Sequence, residues 1–559
     1  MGGAHRAREP ASLLLIAAMA ASGLFIVVLG SRLTFILDDW TFILYRQGFT
    51  ADAFLNPDNE HLVAGAVAIW KLLLDGFGMG SLVPFRLVST AMFLLGDWFL
   101  FIWIRRRLGP WPALIAALPV IFLGSAFEDL LWFSSITFLG ALTCGLGMLV
   151  ALDRRDRLGD GFACAWLVAT MLFSSLWVSF ALGAALDIVL RRGERDWRRR
   201  AYVVLVPVVL YAIWWLGWGS EAESALSLHN IAASPLFVLD SFGSAIAALL
   251  GLATPVEGIA SPGGLDWGRP LAVLLGGLAV WRTYTMGRIP RSLWVVLAIG
   301  LSFWILGGFD LKPGRVPWAS RYQLPGAVFV LLVATELLRG VSLSKRLLGP
   351  LVAVLAAAIA SNALFFHEAY ESYASSTKIV RGNLTALEIA RDTVDPAFYL
   401  EEEFADTGFD HIDAGSYFSA VDAYGSPAYT IEELRESSEP ARFAADKVLL
   451  NALRVAVEPI ARPAVPGRGC FDVAADSELK VPPGGVAIVA GAKPVTDIQM
   501  RRFATPAEGT PMPVDFQAGV GPQEAVAVPI PTDLAPAVPW KMTLEGGAAT
   551  ACPLEREAG

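Results

Sequence analysis

The stretch ASLLLIAAMAASGLFIVVLGSRLTFILDDW, residues 11–40, joins a long apolar run to a polar segment that ends in two carboxylates. A bilayer core requires about 20 apolar residues in helical conformation, so Ala11–Gly30 predicts a membrane span. A signal peptide is the alternative, because basic residues precede the run. The run is long for a signal peptide, however, and its one small-x-small triplet, Ala18-Met19-Ala20, lies inside the run instead of after it.

The composition separates this chain from ordinary soluble proteins. Of its 559 residues, 55% are hydrophobic and 17% are charged, whereas soluble domains carry about a quarter charged residues. These values exclude an ordinary soluble enzyme, a disordered chain and a nucleic-acid-binding protein with a basic face. The four cysteines are too few for a disulfide-built scaffold.

Charge is divided unequally along the chain. Residues 1–366 carry 28 Lys and Arg against 23 Asp and Glu, a net charge of +5, and residues 367–559 carry 15 against 29, a net charge of −14. We therefore expect a transmembrane domain over residues 1–366. An extracytoplasmic, mainly helical and loop segment follows over 367–467, and an extracytoplasmic β-sandwich over 468–559.

Clusters of Arg and Lys interrupt the apolar runs, and the positive-inside rule places these clusters in the cytoplasm. Spans must then pair up between clusters, which puts the N-terminus in the cytoplasm and the acidic C-terminal part outside a plasma (inner) membrane. The predicted spans are Ala11–Gly30, Leu82–Ile104, Trp111–Ser125, Leu130–Leu152, Ala201–Trp218, Pro270–Tyr284, Leu293–Gly308, Leu324–Leu338 and Leu347–Phe366.

Three further apolar stretches do not fit as simple spans. Phe162–Leu190 lies between two basic clusters and is too short for two full spans, so we expect two short helices that meet near Ser174–Ser175. Leu62–Phe77 predicts an amphipathic helix in the outer interface, with Trp70–Lys71 at headgroup level. Leu236–Ala253 is either a re-entrant or interfacial helix or one half of a hairpin.

The C-terminal residues follow a soluble pattern. Glu439–Val457 predicts one amphipathic helix. Short runs such as Gly485–Val489 and Ala525–Ile530, separated by Pro and Gly, predict a small antiparallel β-sandwich. The expected fold class is therefore a polytopic α-helical membrane protein with about 11 membrane helices, including the short pair, and a C-terminal extracytoplasmic α+β domain.

The cysteines fall into two kinds. Cys470 and Cys552 bracket the predicted sandwich and would form a disulfide in an oxidising compartment. Cys144 and Cys164 lie inside predicted membrane helices, where we expect them to pack in the core.

Two acidic pairs follow predicted spans on the same outer side. Asp38-Asp39-Trp40 comes directly after the first span, and Glu128-Asp129 lies in the next outer loop. Each pair alone suits a solvated helix end or a helix cap, with Trp40 as an interface anchor. Paired carboxylates at one depth of an apolar–aqueous boundary also suit general-base catalysis or metal binding.

Arg321 breaks the charge distribution of the membrane part, because it lies at the predicted outer mouth of a span, as do Lys312 and Arg315. A guanidinium there can hold a lipid phosphate through a bidentate contact. The alternative is that Arg321 extends to outer-leaflet headgroups.

The order of these motifs resembles the GT-C superfamily of membrane glycosyltransferases, close to its bacterial dolichyl-phosphate-mannose:protein mannosyltransferase-like branch. The resemblance covers roughly residues 11–366. The motifs that carry it are Asp38-Asp39-Trp40, Asn59-Glu60-His61, Phe85-Arg86-Leu87, Asp129-Leu130-Leu131-Trp132 and Ser320-Arg321-Tyr322.

The resemblance implies a GT-C-like fold, a polyprenyl-phosphate-linked sugar as donor, and a cell-envelope glycan, lipid or protein as acceptor on the outer face of the bilayer. The implied catalytic residues are Asp38 or Asp39 as the base, with Glu128 and Asp129 as the second acidic motif. The implied substrate-binding residues are Trp40, Glu60, His61, Arg321, as a phosphate contact, and Tyr322. A divalent cation, Mg²⁺ or Ca²⁺, could be held by carboxylate oxygens, although no spacing requires one.

A non-enzymatic protein is the alternative from another class: a lipid-linked glycan transporter, or a cell-envelope assembly component with a glycan-binding outer domain. Transporters place ionisable groups near the bilayer midplane. The main carboxylates within the predicted spans are Asp97, Asp187 and Glu336, and each is expected near a cytoplasmic end. The acidic pairs lie at one surface instead, which favours an enzyme.

Overall fold

The structure is a computed structural model, and it describes residues 10–193, 196–221, 226–253, 265–312, 315–341, 345–400, 412–461, 469–505, 514–516 and 518–554. The chain is helical up to residue 452, and strands follow from residue 458. The helices of the N-terminal part are α1 (Pro10–Gly30), α2 (Ala51–Leu55), α3 (Ala64–Phe77), α4 (Val83–Leu108), α5 (Pro110–Ile121), α6 (Phe127–Leu131), α7 (Ile136–Leu152), α8 (Arg157–Met171), α9 (Trp177–Leu190), α10 (Trp197–Arg200), α11 (Tyr202–Gly217), α12 (Leu228–Leu249), α13 (Leu265–Thr285), α14 (Arg291–Phe309), α15 (Ser320–Leu337) and α16 (Lys345–Ile389).

The expected helical membrane part is confirmed. Among the described residues, six helices are long and apolar enough to cross a bilayer, and a bent pair, α5 with Gly124–Leu131, makes up to seven. These are fewer than the about 11 membrane helices expected from apolar stretches about 20 residues long. Two of the remaining apolar helices, α9 and α11, are shorter. The break between α8 and α9 contains Ser174–Ser175, as the sequence predicts.

The sequence leaves Leu236–Ala253 open between a re-entrant or interfacial helix and one half of a hairpin, and the structure forms the helix α12 over most of this stretch. α12 begins earlier, at Leu228, and its 22 residues are long and apolar enough for a full span. It packs on α13, where a Cβ on Gly268 would lie 2.7 Å from the carbonyl oxygen of Gly243. Arg269 also forms an ion pair with Asp240. The hairpin alternative is therefore the one that the structure supports, with α13 as the partner helix.

The sequence places Trp70 and Lys71 at headgroup level, and the structure buries both side chains inside the protein. Trp70 is 1% exposed, with its ring centroid 4.7 Å from that of Phe133. Lys71 is buried and donates hydrogen bonds to the backbone carbonyls of Arg46 and Gly48. Lys71 therefore holds the segment before α2, where carbonyl oxygens satisfy its buried ammonium, and Trp70 packs among aromatic rings inside the protein.

The chain forms two compact units. The first contains the chain through Arg32, Tyr45–Gly76 and Leu82–Tyr373; the second contains Leu33–Leu44, Phe77–Ser81 and the chain from Ala374 onward. α16 has 45 residues and is therefore about 68 Å long, more than twice the thickness of a bilayer core. The domain boundary expected at residue 366 thus lies inside a continuous helix.

The second unit combines three helices with two antiparallel sheets, the small β-structure that the sequence predicts. Its helices are α17 (Ala414–Tyr424), α18 (Ile431–Glu436) and α19 (Glu439–Ala452). Its strands are β1 (Glu458–Ile460), β2 (Phe471–Val473), β3 (Ser477–Lys480), β4 (Gly485–Ala490), β5 (Val495–Arg501), β6 (Val514–Asp515), β7 (Ala525–Pro529), β8 (Lys541–Gly546) and β9 (Ala549–Pro553). The strand orders are β1-β7-β4-β9-β2 and β3-β8-β5-β6.

The cysteines differ in their bonding. Cys470 and Cys552 form a disulfide beside the β2–β9 pair, in which Phe471 lies opposite Ala551. Cys144 is a buried free thiol and Cys164 is a half-buried free thiol.

Candidate active site

The second acidic motif is bonded to the start of α15. The backbone N–H of Arg321 donates to Glu128 Oε2 at 2.8 Å, and the backbone N–H of Glu128 donates to Ser320 Oγ at 3.0 Å. Ser320 Oγ in turn donates to the carbonyl of Ser125 at 2.8 Å. The first N–H groups of a helix lack partners within it, and a carboxylate there is favourable. Glu128 therefore caps α15 and fixes it to the bent segment α5–α6.

Arg321 carries its guanidinium at the same point. Its Nη1 lies 3.9 Å from Glu128 Oε1, and the side chain is 24% exposed. Its Cζ lies 5.5 Å from the ring centroid of Tyr322. The planar fork of a guanidinium suits bidentate contact with an anion such as a phosphate.

Asp129 differs from its neighbour Glu128. It is fully buried, and among the described residues neither carboxylate oxygen has a hydrogen-bond partner. Burial of a polar group without hydrogen bonds costs several kcal/mol. Asp129 is therefore unlike a helix cap, and of the two carboxylates it is the one whose placement the fold alone does not satisfy.

The first acidic motif lies in the loop Leu33–Leu44, which belongs to the second unit. Asp39 is fully buried, and its Oδ2 accepts a hydrogen bond from the N–H of Ile36 at 3.1 Å. Asp38 is half-buried. Leu37, just before it, has φ of +53°, a strained conformation for a residue with a branched side chain, and such strain concentrates at functional sites. Asp39 therefore shapes the turn, and Asp38 is the less buried of the two carboxylates.

Trp40 is enclosed by the second unit, with no exposed surface. Its ring centroid lies 6.3 Å from that of Phe35 and 5.9 Å from that of Tyr417, both in edge-on geometry. This places Trp40 in the packing of the acidic loop and not at a membrane interface or a surface that substrate can reach.

Glu60 joins the loop before α3 to the loop after α14. Its Oε2 accepts hydrogen bonds from both Nη atoms of Arg315 at 3.1 Å, and its Oε1 accepts one from Lys312. Burial opposes ionisation of Glu60, but these two cations outweigh burial and lower its pKa below the ordinary value. Arg315 and Lys312 also pair with Asp310. Glu60 is therefore ionised and holds Lys312 and Arg315 in place.

His61 follows Glu60 and faces the interior of the first unit. Burial lowers its pKa to about 4, so the imidazole is neutral at physiological pH. Its Nδ1 is buried and has no hydrogen-bond partner among the described residues. The positive φ of +51° at Asn59 and the backbone bridge between Asp58 and His61 fix this position. His61 therefore offers one unused ring nitrogen to a ligand.

His61 and Tyr322 line the same cavity, which is partly open to solvent. The sequence marks Ser174–Ser175 only as the break between two short helices and Arg315 only as a cation against the charge distribution, and no local pattern marks Ser179, Ser241 or Asp310. The polar lining residues are His61, Ser174, Ser175, Ser179, Ser241, Asp310, Arg315 and Tyr322. Tyr322 follows Arg321 in the chain, so the partner of Glu128 is adjacent in sequence to a residue that lines this cavity.

A metal centre built from protein side chains alone is not present in the described part of the chain, where no group of three or more His, Cys, Asp or Glu could hold an ion. Mg²⁺ is commonly held by one or two carboxylates together with substrate phosphate. A cation bound in that way stays a prediction.

No family model matches the chain, and no curated protein sequence matches it significantly. Among solved structures, the crystal structure of ArnT from Cupriavidus metallidurans bound to undecaprenyl phosphate is similar, with a TM-score of 0.43 and 14% sequence identity. The alignment covers 78% of this chain and 88% of that chain. At this TM-score the likeness carries no weight for function, and the residues of the site are the basis of the proposal that follows.

Proposed function

We propose that this chain is a membrane glycosyltransferase that moves a sugar from a polyprenyl-phosphate donor to a cell-envelope acceptor outside the plasma membrane. The observation that carries the proposal is the group of Glu128, Asp129 and Arg321, in which Arg321 directly precedes Tyr322, a residue that lines a cavity together with His61. A guanidinium suits a phosphate, and a polar cavity suits the sugar attached to it. The order of the sequence motifs, similar to that of the GT-C superfamily, supports the same class.

The reaction that fits these residues is a single displacement with inversion at the anomeric carbon. A carboxylate takes the proton of the acceptor hydroxyl while its oxygen forms a bond to that carbon. The bond from the carbon to the phosphate oxygen breaks, and polyprenyl phosphate leaves with the electron pair. Arg321 stabilises the charge that develops on the phosphate.

Asp38 is the base that we propose. The sequence leaves Asp38 and Asp39 equivalent, but Asp39 is fully buried and accepts the N–H of Ile36, whereas Asp38 is half-buried. A general base needs access to the proton that it abstracts. Asp39→Asn should therefore disturb the loop, and Asp38→Asn should remove the base itself.

Two of the three carboxylates within the predicted spans are held in ion pairs, which gives the transporter alternative less support. Asp187 is paired with Arg191 and Arg200, and Glu336 with Arg107. Carboxylates held in such pairs stabilise helix packing and are not free to bind a substrate or ion.

The test is transfer from a panel of radiolabelled polyprenyl-phosphate sugars to cell-envelope acceptors by the purified chain in nanodiscs. We expect label in the acceptor with wild type, none with Asp38→Asn, and wild-type transfer with Asp75→Asn, an exposed carboxylate on α3, as the matched control. If the folded wild-type protein transfers sugar from none of the donors, the proposed glycosyltransferase activity is refuted. If Asp38→Asn keeps full activity, the assignment of Asp38 as the base is refuted.

A further inference from the structure

Two charged residues, Asp310 and Arg315, line the cavity, and their charges are balanced within a group of four residues. Arg315 is bonded to Glu60 through both Nη atoms at 3.1 Å and also contacts Asp310. Lys312 is bonded to Glu60 and lies 3.6 Å from Asp310 Oδ1. Two cations are thus shared between two carboxylates. This four-residue group, the charge cluster below, has no net charge.

The rest of the polar lining is uncharged. It consists of the hydroxyls of four serines and Tyr322, together with the imidazole of His61, which is neutral because burial lowers its pKa to about 4. Ser179 Oγ and His61 Nδ1 are buried and have no hydrogen-bond partner among the described residues. Buried polar atoms are nearly always hydrogen-bonded, so these two are available to a ligand that can both donate and accept.

Aromatic rings form the walls. The centroid of Tyr322 lies 6.1 Å from that of Phe138 and 6.2 Å from that of Phe303, both edge-on, and Trp304 completes this side of the lining. Apolar and aromatic walls with a few placed hydroxyls are typical of small-molecule sites. A sugar ring matches this lining, because it has an apolar face of C–H groups and a periphery of hydroxyls.

We propose that the cavity receives the sugar unit of the donor and selects an uncharged sugar over a uronate or an amino sugar. This inference rests on the proposed function and adds the substrate class. A uronate needs a cation, but Arg315 and Lys312 are already paired with carboxylates. An amino sugar needs an anion, but Glu60 and Asp310 are already paired with cations. Enclosing an unpaired charge is costly, so charged sugars are excluded.

The test compares donors that share one polyprenyl phosphate and differ only in the sugar: a neutral hexose, the matching uronate, and the matching amino sugar. The full chain in nanodiscs is used, and both equilibrium binding and transfer are measured. We expect the neutral donor to be preferred about a hundredfold, the order of discrimination that mismatched polar groups produce in a binding pocket. Bare polyprenyl phosphate, the fourth probe, should bind more weakly than the neutral donor.

A charge-changing variant tests the cause of the preference. Glu60→Gln leaves Lys312 and Arg315 facing only Asp310, which gives the charge cluster a net charge of +1. The preference for the neutral donor over the uronate should then fall at least about tenfold, while the amino sugar stays excluded. Glu60→Asp keeps the charge and should keep the preference. Thermal unfolding of both variants checks that the loops remain folded.

The outcomes separate this inference from the proposed function. Preferential binding of the neutral donor without transfer would support the cavity assignment and refute the enzyme. The inference would be overturned if neutral and charged donors bound equally well, or if folded Glu60→Gln kept the wild-type preference. Transfer by the wild-type protein would still support the proposed glycosyltransferase activity in either case. Equal binding of bare polyprenyl phosphate and the neutral donor would assign the cavity to the lipid and overturn the inference as well. If none of the four probes binds, both the cavity assignment and the proposed glycosyltransferase activity are refuted.

Discussion

Tyr417 of the C-terminal unit holds the acidic loop, and its removal should lower catalysis through Asp38. Tyr417 has no exposed surface, and its ring packs edge-on against Trp40, two residues from Asp38. Its hydroxyl donates to Glu388 Oε1 at 2.7 Å, which also accepts from Ser426 Oγ. The ring therefore supports the loop, and the hydroxyl fixes the ring.

Two substitutions separate these contributions. Tyr417→Phe removes the hydrogen bond to the Glu388 carboxylate, which costs about 1.5–3 kcal/mol of unfolding free energy, but it keeps the ring contact with Trp40. Tyr417→Leu removes in addition the aromatic pair, about 0.5–1.5 kcal/mol. We expect both variants to unfold at lower temperature. Only Tyr417→Leu should lose most of its kcat, because only there is Trp40 released.

The assay measures thermal unfolding, kcat, and the KM for the donor in the same nanodisc preparation. A loop effect lowers kcat and leaves the donor KM near the wild-type value, since the cavity that we assign to the donor belongs to the first unit. Destabilised Tyr417→Leu with wild-type kcat would refute the idea that the C-terminal unit holds the acidic loop. Equal loss of kcat in Tyr417→Phe would assign the effect to the hydroxyl and not to the ring.

Three further predictions address other groups. Arg321→Lys should slow transfer roughly tenfold to a hundredfold with every donor sugar, because an ammonium cannot replace the guanidinium fork; a wild-type rate would make Arg321 a headgroup anchor. Asp97→Asn should keep full transfer activity, because Asp97 lies within α4 and does not line the cavity that we assign to the donor sugar; loss of activity with intact folding would favour a transport role for this carboxyl. Burial raises the pKa of Asp446 to about 6 even though it accepts the N–H groups of Arg502, Phe503 and Ala504. A folded-state pKa above the ordinary value means that stability is greatest below about pH 4 and declines as pH rises through about 6. Asp446→Asn should therefore show a shallower fall in unfolding temperature between pH 4 and 7, and an unchanged slope would contradict this.

The sequence by itself determined the membrane part and the C-terminal sheets. The length of an apolar run is a local property, and a bilayer requires about 20 such residues, so α1, α4 and α14 begin and end near the predicted residues. The alternation of apolar runs with Pro and Gly is local as well, and it predicted the strands β4 and β7. The two acidic motifs were recognisable because their carboxylates stand at the ends of apolar runs.

Only the tertiary structure decided which carboxylate of each pair is structural. Glu128 and Asp129 are adjacent and chemically alike, but α15, whose first N–H groups bind Glu128, lies 193 residues further along the chain. In the first pair, packing buries Asp39 completely and leaves Asp38 half-buried, although the hydrogen bond from the N–H of Ile36 to Asp39 is itself local. The serine-lined cavity is built from helices far apart in sequence, and the neutrality of its charge cluster depends on Glu60 meeting Arg315 across 255 residues. Contacts of this range are set by helix packing, which no local pattern of residues encodes.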